Sequence, residues 1–163
     1  MRSRATTPYT ARDGASPATV AALCRGALLA QRARITKLQV DVHSDEPWPA
    51  EAVVAVQELD DLRVARQGRI ARRLGWEPGI AVELDPRDDR ELGLALAVAP
   101  YTICGTGYDA SWRSIWNADD TGTSLWFELL PAELVLVLDH VEQHGDRPTD
   151  VVVADGGLGG ASH

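Results

Sequence analysis

Lysine is nearly missing from this chain: Lys37 is the only one, beside fifteen arginines. With the abundant alanine, this reflects codon usage in a GC-rich genome rather than a chemical preference. Cysteine is scarce too. Cys24 and Cys104 cannot make a disulfide framework for 163 residues, which points to a reduced, cytosolic compartment. No apolar run approaches the roughly 18 residues that a membrane span needs. Arg25 interrupts the apolar stretch from Ala18 to Leu29, and Leu23 ahead of Cys24 is too large for a lipoprotein-type cleavage site. A secretion signal is therefore not expected. Phenylalanine occurs once, so the five tryptophans must fill much of any core volume.

What is present suits one ordinary domain with a real core, at 45% hydrophobic. A net charge of −8 argues against general affinity for phosphate backbones or anionic membranes, and is compatible with a basic protein partner. The charge is uneven. Residues 1–40 carry seven Arg/Lys against Asp13 alone, so the remainder holds −14.

That asymmetry and the turn-rich start suggest three parts. Residues 1–34 read as an Arg-rich extension, disordered over 1–16, with a possible helix at 17–34 capped by Ser16 and opened by Pro17. Residues 35–155 read as an α+β domain, and residues 156–163 as a flexible Gly-rich tail. Within the domain, Ile35 to Val42 suggests a first strand. Ala52–Val56 is a short strand or a helix start, and Glu58–Leu74 is helical and stopped by Gly75. Strands are expected at Ile80–Leu84, Leu92–Val98, Tyr101–Tyr108, Trp112–Asn117 and Ser124–Glu128. Pro131 then opens a helix whose Leu134, Val137, Leu138 and Val141 share one face; Gly145 and Pro148 stop it before a last strand at Val151–Val153. Short strands with short turns predict a single-domain α+β fold, an antiparallel β-meander packed with helices.

No catalytic constellation emerges, and neither a cofactor nor a metal is expected. His140 and His144 stand at i, i+4, but the glutamate is two residues after the first histidine, not adjacent as in zincins; both read as surface histidines. Cys104 with Gly105-Thr-Gly107 reads as a buried structural cysteine beside a glycine-permitted bend. Arg63, Arg66, Arg69, Arg72 and Arg73 resemble the first half of a helix-turn-helix, which makes a small DNA-binding regulator using residues 58–75 the alternative function. The acidic segment that follows, with Glu83, Asp85, Asp88 and Asp89, would face phosphates and speaks against it. More distinctive is the run from Tyr108 to Asp120. Trp112, Ser114 and Trp116 share one strand face, and Asp109, Asp119 and Asp120 flank them. Aromatics beside carboxylates suit a partner-binding surface, with Trp112 or Trp116 as anchor. The competing reading places both tryptophans in the core.

The C-terminal block, with Pro131, Leu134, Val137, Gly145, Arg147, Pro148 and Val152, resembles the ending of the deaminase-immunity family of bacterial polymorphic-toxin systems. The Glu58-to-Leu62 helix and a strand at Gly93–Ala97 are similar in placement to that family's first helix and central strand. The resemblance spans roughly residues 50–155. It implies a cytoplasmic immunity protein, not an enzyme, that neutralises a secreted toxin by stoichiometric binding. The partner would be a cognate deaminase or other nucleic-acid-modifying enzyme. An acidic face would be steered toward such a toxin's basic cleft.

Overall fold

The computed structural model describes residues 5–43, 47–74, 79–144 and 147–154, with side chains at 68–74 excepted. Gly75, Gly145 and the 156–163 tail lie outside these residues. The chain forms an α+β domain built on one seven-stranded antiparallel sheet, in the order β3-β2-β4-β5-β6-β1-β7. The strands are β1 (Thr7–Ala11), β2 (Lys37–Asp41), β3 (Ala81–Leu84), β4 (Cys104–Tyr108), β5 (Ser114–Asp119), β6 (Ser124–Leu129) and β7 (Val151–Val153). Four helices accompany them: α1 (Pro17–Gln31), α2 (Ala50–Leu74), α3 (Asp89–Val98) and α4 (Pro131–Gln143). Only β4, β5 and β6 form the expected meander.

The leader expected to be disordered over residues 1–16 contains β1 at Thr7–Ala11. Thr7–Tyr9 pair with β6, and Tyr9–Ala11 pair with β7. Nor is residue 34 a domain boundary. Ser16 caps α1 by accepting from the Thr19 N–H at 3.0 Å, and Leu23, Cys24, Ala27 and Leu28 are fully buried. The alanine-rich composition of α1 permits close packing. At Gly26 an added Cβ would lie 3.1 Å from His140 Cδ2 of α4. The charge asymmetry is resolved inside the fold. Arg12, Arg32, Arg34 and Lys37 pair with Asp150, Asp89, Glu133 and Glu83.

The strand expected at Leu92–Val98 is α3. Its alternating leucines mimic a two-residue period, but Leu92, Ala95 and Val98 also lie on one helical stripe and are buried. Asp88 decides the outcome, because its carboxylate accepts from the Arg90 and Glu91 N–H groups at 2.9 and 3.0 Å. The Gly93–Ala97 segment is therefore not a central strand. Ala52–Val56 belongs to α2, whose Ala52, Ala55 and Leu59 face the core. On α4, Val137 and Val141 are fully buried while Leu138 is half-buried.

The buried residues of all four helices join one core with Leu38, Val40, Val82, Leu84, Trp116, Phe127 and Leu129 of the sheet. Successive strand side chains alternate between faces. The helices thus cover one face, and the opposite face carries no described helix. One sheet edge is also closed. The outward carbonyls of Gly79, Ala81 and Glu83 along β3 accept from Arg63, Gln67 and Arg66 of α2, at 3.2, 2.5 and 2.6 Å. Edge strands left bare invite strand addition, and these side chains block it.

Candidate interaction surface

Register lays out the uncovered face. Glu83 of β3, Gln39 of β2, Thr106 of β4, Asn117 of β5 and Trp126 of β6 form one row across five strands. Lys37 and Tyr108 are paired in the next row. Trp126 is half-buried there. The alternation of Leu125, Phe127 and Leu129 inward was the signal that Trp126 faces out.

Trp112 and Trp116 separate. Trp116 is fully buried and corrects the binding role expected of it. Its indole N–H donates to the Cys24 carbonyl of α1 at 3.2 Å, and its ring stacks on Phe127. The strand face expected for Trp112, Ser114 and Trp116 is lost because β5 starts at Ser114 and the β4–β5 register shifts beside it. Such an irregularity re-aims side chains, and here both Ile115 and Trp116 enter the core.

Trp112 is 68% exposed, in the turn between β4 and β5. Its φ of 61° is a left-handed conformation, costing a bulky residue roughly 1–2 kcal/mol. Asp109 holds it there. One carboxylate oxygen accepts from the Ser111 and Arg113 N–H groups at 2.8 and 3.1 Å, and the other from Arg113 Nε at 3.3 Å. Desolvation pushes the Asp109 carboxyl up, but those N–H groups and the Arg113 guanidinium outweigh it and hold the carboxyl below its ordinary range. Asp109 therefore positions the turn and does not offer a free carboxylate. Tyr108 lies 6.2 Å from the Trp112 ring centroid, and Lys37 Nζ lies 5.0 Å above it while pairing with Glu83 at 2.7 Å.

Asp119 and Asp120 stand at the other end of β5, whose run from Ser114 to Asp119 covers roughly 17 Å at about 3.3 Å per residue. They do not form one cluster with Trp112. Asp120 is exposed with φ 50°. Burial raises the Asp119 carboxyl, offset by Cys104 and the Gly105 N–H, while Asp120 adds to the rise. Burial also raises Asp41, which His43 lowers and Asp119 raises further. Cys104 is exposed, contrary to expectation, and its thiol is raised by desolvation and by Asp119. Cys24 is the buried cysteine.

The arginines of α2 do not form a free basic face where side chains are described. Arg63 pairs with Asp60 and Arg66 with Glu91, besides capping β3. The next described element is β3, not a recognition helix. Arg69, Arg72 and Arg73 lie outside the described side chains.

His140 is not a surface residue. It packs on Gly26, its Nε2 is buried without a partner among the described residues, and its ring lies 4.2 Å from that of His144. Desolvation, then His144, then Arg25 lower its pKa below the ordinary 6.5. The neutral form is favoured in the fold, so this stability is complete above pH 6.5 and declines as pH falls through and below that value. Melting temperature should drop between pH 7 and pH 5 in the native chain and stay flatter in His140→Leu. The Arg66–Glu91 pair does not intrude, because Glu91 is held below 4.5. Equal slopes in the two proteins would remove His140 from the account.

No family model, curated protein or solved structure matches the chain.

Proposed function

We propose that this chain acts by stoichiometric protein binding through the uncovered sheet face, as a cytoplasmic immunity protein that neutralises a nucleic-acid-modifying toxin. The observation that carries the binding half is Trp112: a large aromatic, exposed and held in a strained backbone conformation by Asp109. Strain of this kind is retained where function requires it, and rigid tryptophans are frequent energetic anchors of interfaces. Asp119 and Asp120 supply negative charge at the far end of β5 from the Trp112 turn, suited to steering a basic partner. The toxin half rests on the resemblance of the β6–α4–β7 ending to the deaminase-immunity family, together with the acidic balance of the chain.

The two ends of β5 have separable roles in this reading, and binding kinetics against the toxin encoded beside this chain distinguish them. Trp112→Gly should raise the off-rate, weakening binding by about 2 kcal/mol or more. It should leave stability unchanged or up to about 1 kcal/mol higher, because glycine accepts the left-handed backbone. Asp119→Lys with Asp120→Lys should slow association. That defect should shrink as salt shortens the Debye length, about 10 Å at 0.1 M. Unchanged off-rates and unchanged low-salt association would exclude this face as the interface. Absence of any binding by the native chain would defeat the toxin assignment itself.

A further inference from the structure

One row at the end of the uncovered face gathers its carboxylates. Ala81 pairs with Asp41, Cys104 with Asp119, and Asp119 with Ser124. Val40 pairs with Gly105, so one step along the same register Asp41 stands beside Cys104. The Thr102 hydroxyl lies 3.0 Å from the Asp41 carbonyl and 3.2 Å from that of Cys104, which ties the two together. Two carboxylates therefore flank one thiol on neighbouring strands. They face away from the core, because Val40 and Ala118, their neighbours in sequence, are the residues that enter it.

Asp41 is the informative member. It is only 9% exposed, yet its carboxylate makes no hydrogen bond or ion pair with any described residue. Desolvation pushes its carboxyl up; His43 opposes that rise without forming an ion pair, and Asp119 adds to it. Desolvation raises Asp119 as well, against the Cys104 thiol and a Gly105 N–H at a long 3.4 Å. No described arginine or lysine pairs with either carboxylate. Lys37, at the other end of β2, is held by Glu83. A desolvated carboxylate is costly and is ordinarily paired. Among the described residues, the acidic half of such a pair is built and the cationic half is not.

We infer that Asp41 and Asp119 form a receptor for one arginine side chain of the protein partner, seated over Cys104. The inference rests on the reading of the uncovered face given above and names the group which that face takes in. Spacing selects the group. Strands lie about 4.8 Å apart, which sets the two Cα atoms about 10 Å apart with the thiol between them. A guanidinium offers N–H donors on opposite sides of a rigid plane and reaches two carboxylates at once, whereas a lysine ammonium is a point charge. A metal ion needs its ligands within about 2–2.6 Å of one point. No described group of three histidine, cysteine, aspartate or glutamate side chains is arranged that way. The thiol, raised by desolvation and by Asp119, stays neutral and adds no charge of its own. Exposed Asp120 then serves long-range attraction, while the desolvated pair governs dissociation.

Carbon-13 NMR of the Asp41 and Asp119 carboxyls during titration with a blocked Gly-Arg-Gly peptide, at fixed ionic strength, tests the receptor without the toxin. Both signals should shift together and saturate at about 10–100 mM, as a single charge-assisted contact in water allows. The matching Gly-Lys-Gly peptide should bind several-fold more weakly. Asp41→Asn or Asp119→Asn should abolish the saturation, with the melting temperature kept, since each removes a desolvated charge. Either should also raise the off-rate of the toxin complex about tenfold, with little added by the second, because both carboxylates serve one guanidinium. Absence of saturation, an equal response to the lysine peptide, a tighter response to zinc or calcium, or unchanged off-rates in both variants would each overturn the inference. A saturating arginine response in a chain that does not bind the toxin would instead remove the function proposed above and leave the receptor standing.

Discussion

Deleting residues 1–13 is expected to lower the melting temperature by more than about 10 °C, or to remove the cooperative transition altogether. At this size, 1 kcal/mol corresponds to roughly 2–4 °C, so the loss amounts to several kcal/mol. The segment contributes β1, which lies between β6 and β7 and is hydrogen-bonded to both. Tyr9 and Ala11 pack against the core, Thr6 Oγ1 donates to Glu128 at 3.2 Å, and Arg12 Nη2 donates to the Thr149 carbonyl at 2.9 Å. Removal strips β7 of its only described partner strand and turns β6 into a raw edge. Truncation at residue 4, ahead of every described contact, is the control and should be neutral. Thermal unfolding of both truncations checks this; retention of the native melting temperature by the longer deletion would show that the sheet does not need β1.

The failure to anticipate β1 has a physical origin. A five-residue strand reading Thr-Pro-Tyr-Thr-Ala has little apolar content of its own, and its stability comes from neighbours distant in sequence. Local composition registers disorder where the missing energy is long-range pairing. The same limit produced the misassignment of α3. Alternating leucines satisfy both periods, and the signal that separates them is the cap at Asp88, one residue outside the apolar run. Where local chemistry does decide, the expectation held: Pro17 and Pro131 open helices, and Ser124–Leu129 alternates as a strand should. The uncovered face was half legible. Trp112 and the aspartates could be named, but which tryptophan enters the core depends on one register shift between β4 and β5 that no pattern in the sequence announces.

Trp116→Ala should cost about 3–5 kcal/mol, the range for deleting a buried aromatic, and be the most damaging single substitution in the sheet. Three features converge on this side chain. It is fully buried and stacked on Phe127. Its N–H finds its acceptor in the Cys24 carbonyl inside α1, so Trp116→Phe should still lose about 0.5–1.5 kcal/mol with that hydrogen bond. The backbone of β4 is also shaped around it: a Cβ on Gly105 would lie 3.0 Å from Trp116 Cζ3, and one on Gly107 would lie 3.2 Å from Trp116 Cβ and 2.9 Å from Ile35 Cδ1. Gly105 is glycine because the indole occupies the space of its side chain. Gly105→Ala should therefore destabilise the native protein by crowding, yet cost less or even stabilise in the Trp116→Ala background, where the added methyl enters the cavity. Urea unfolding of the four proteins gives the coupling energy between the two positions. A coupling within about 0.5 kcal/mol of zero would mean that the glycine answers to the backbone alone and not to the ring.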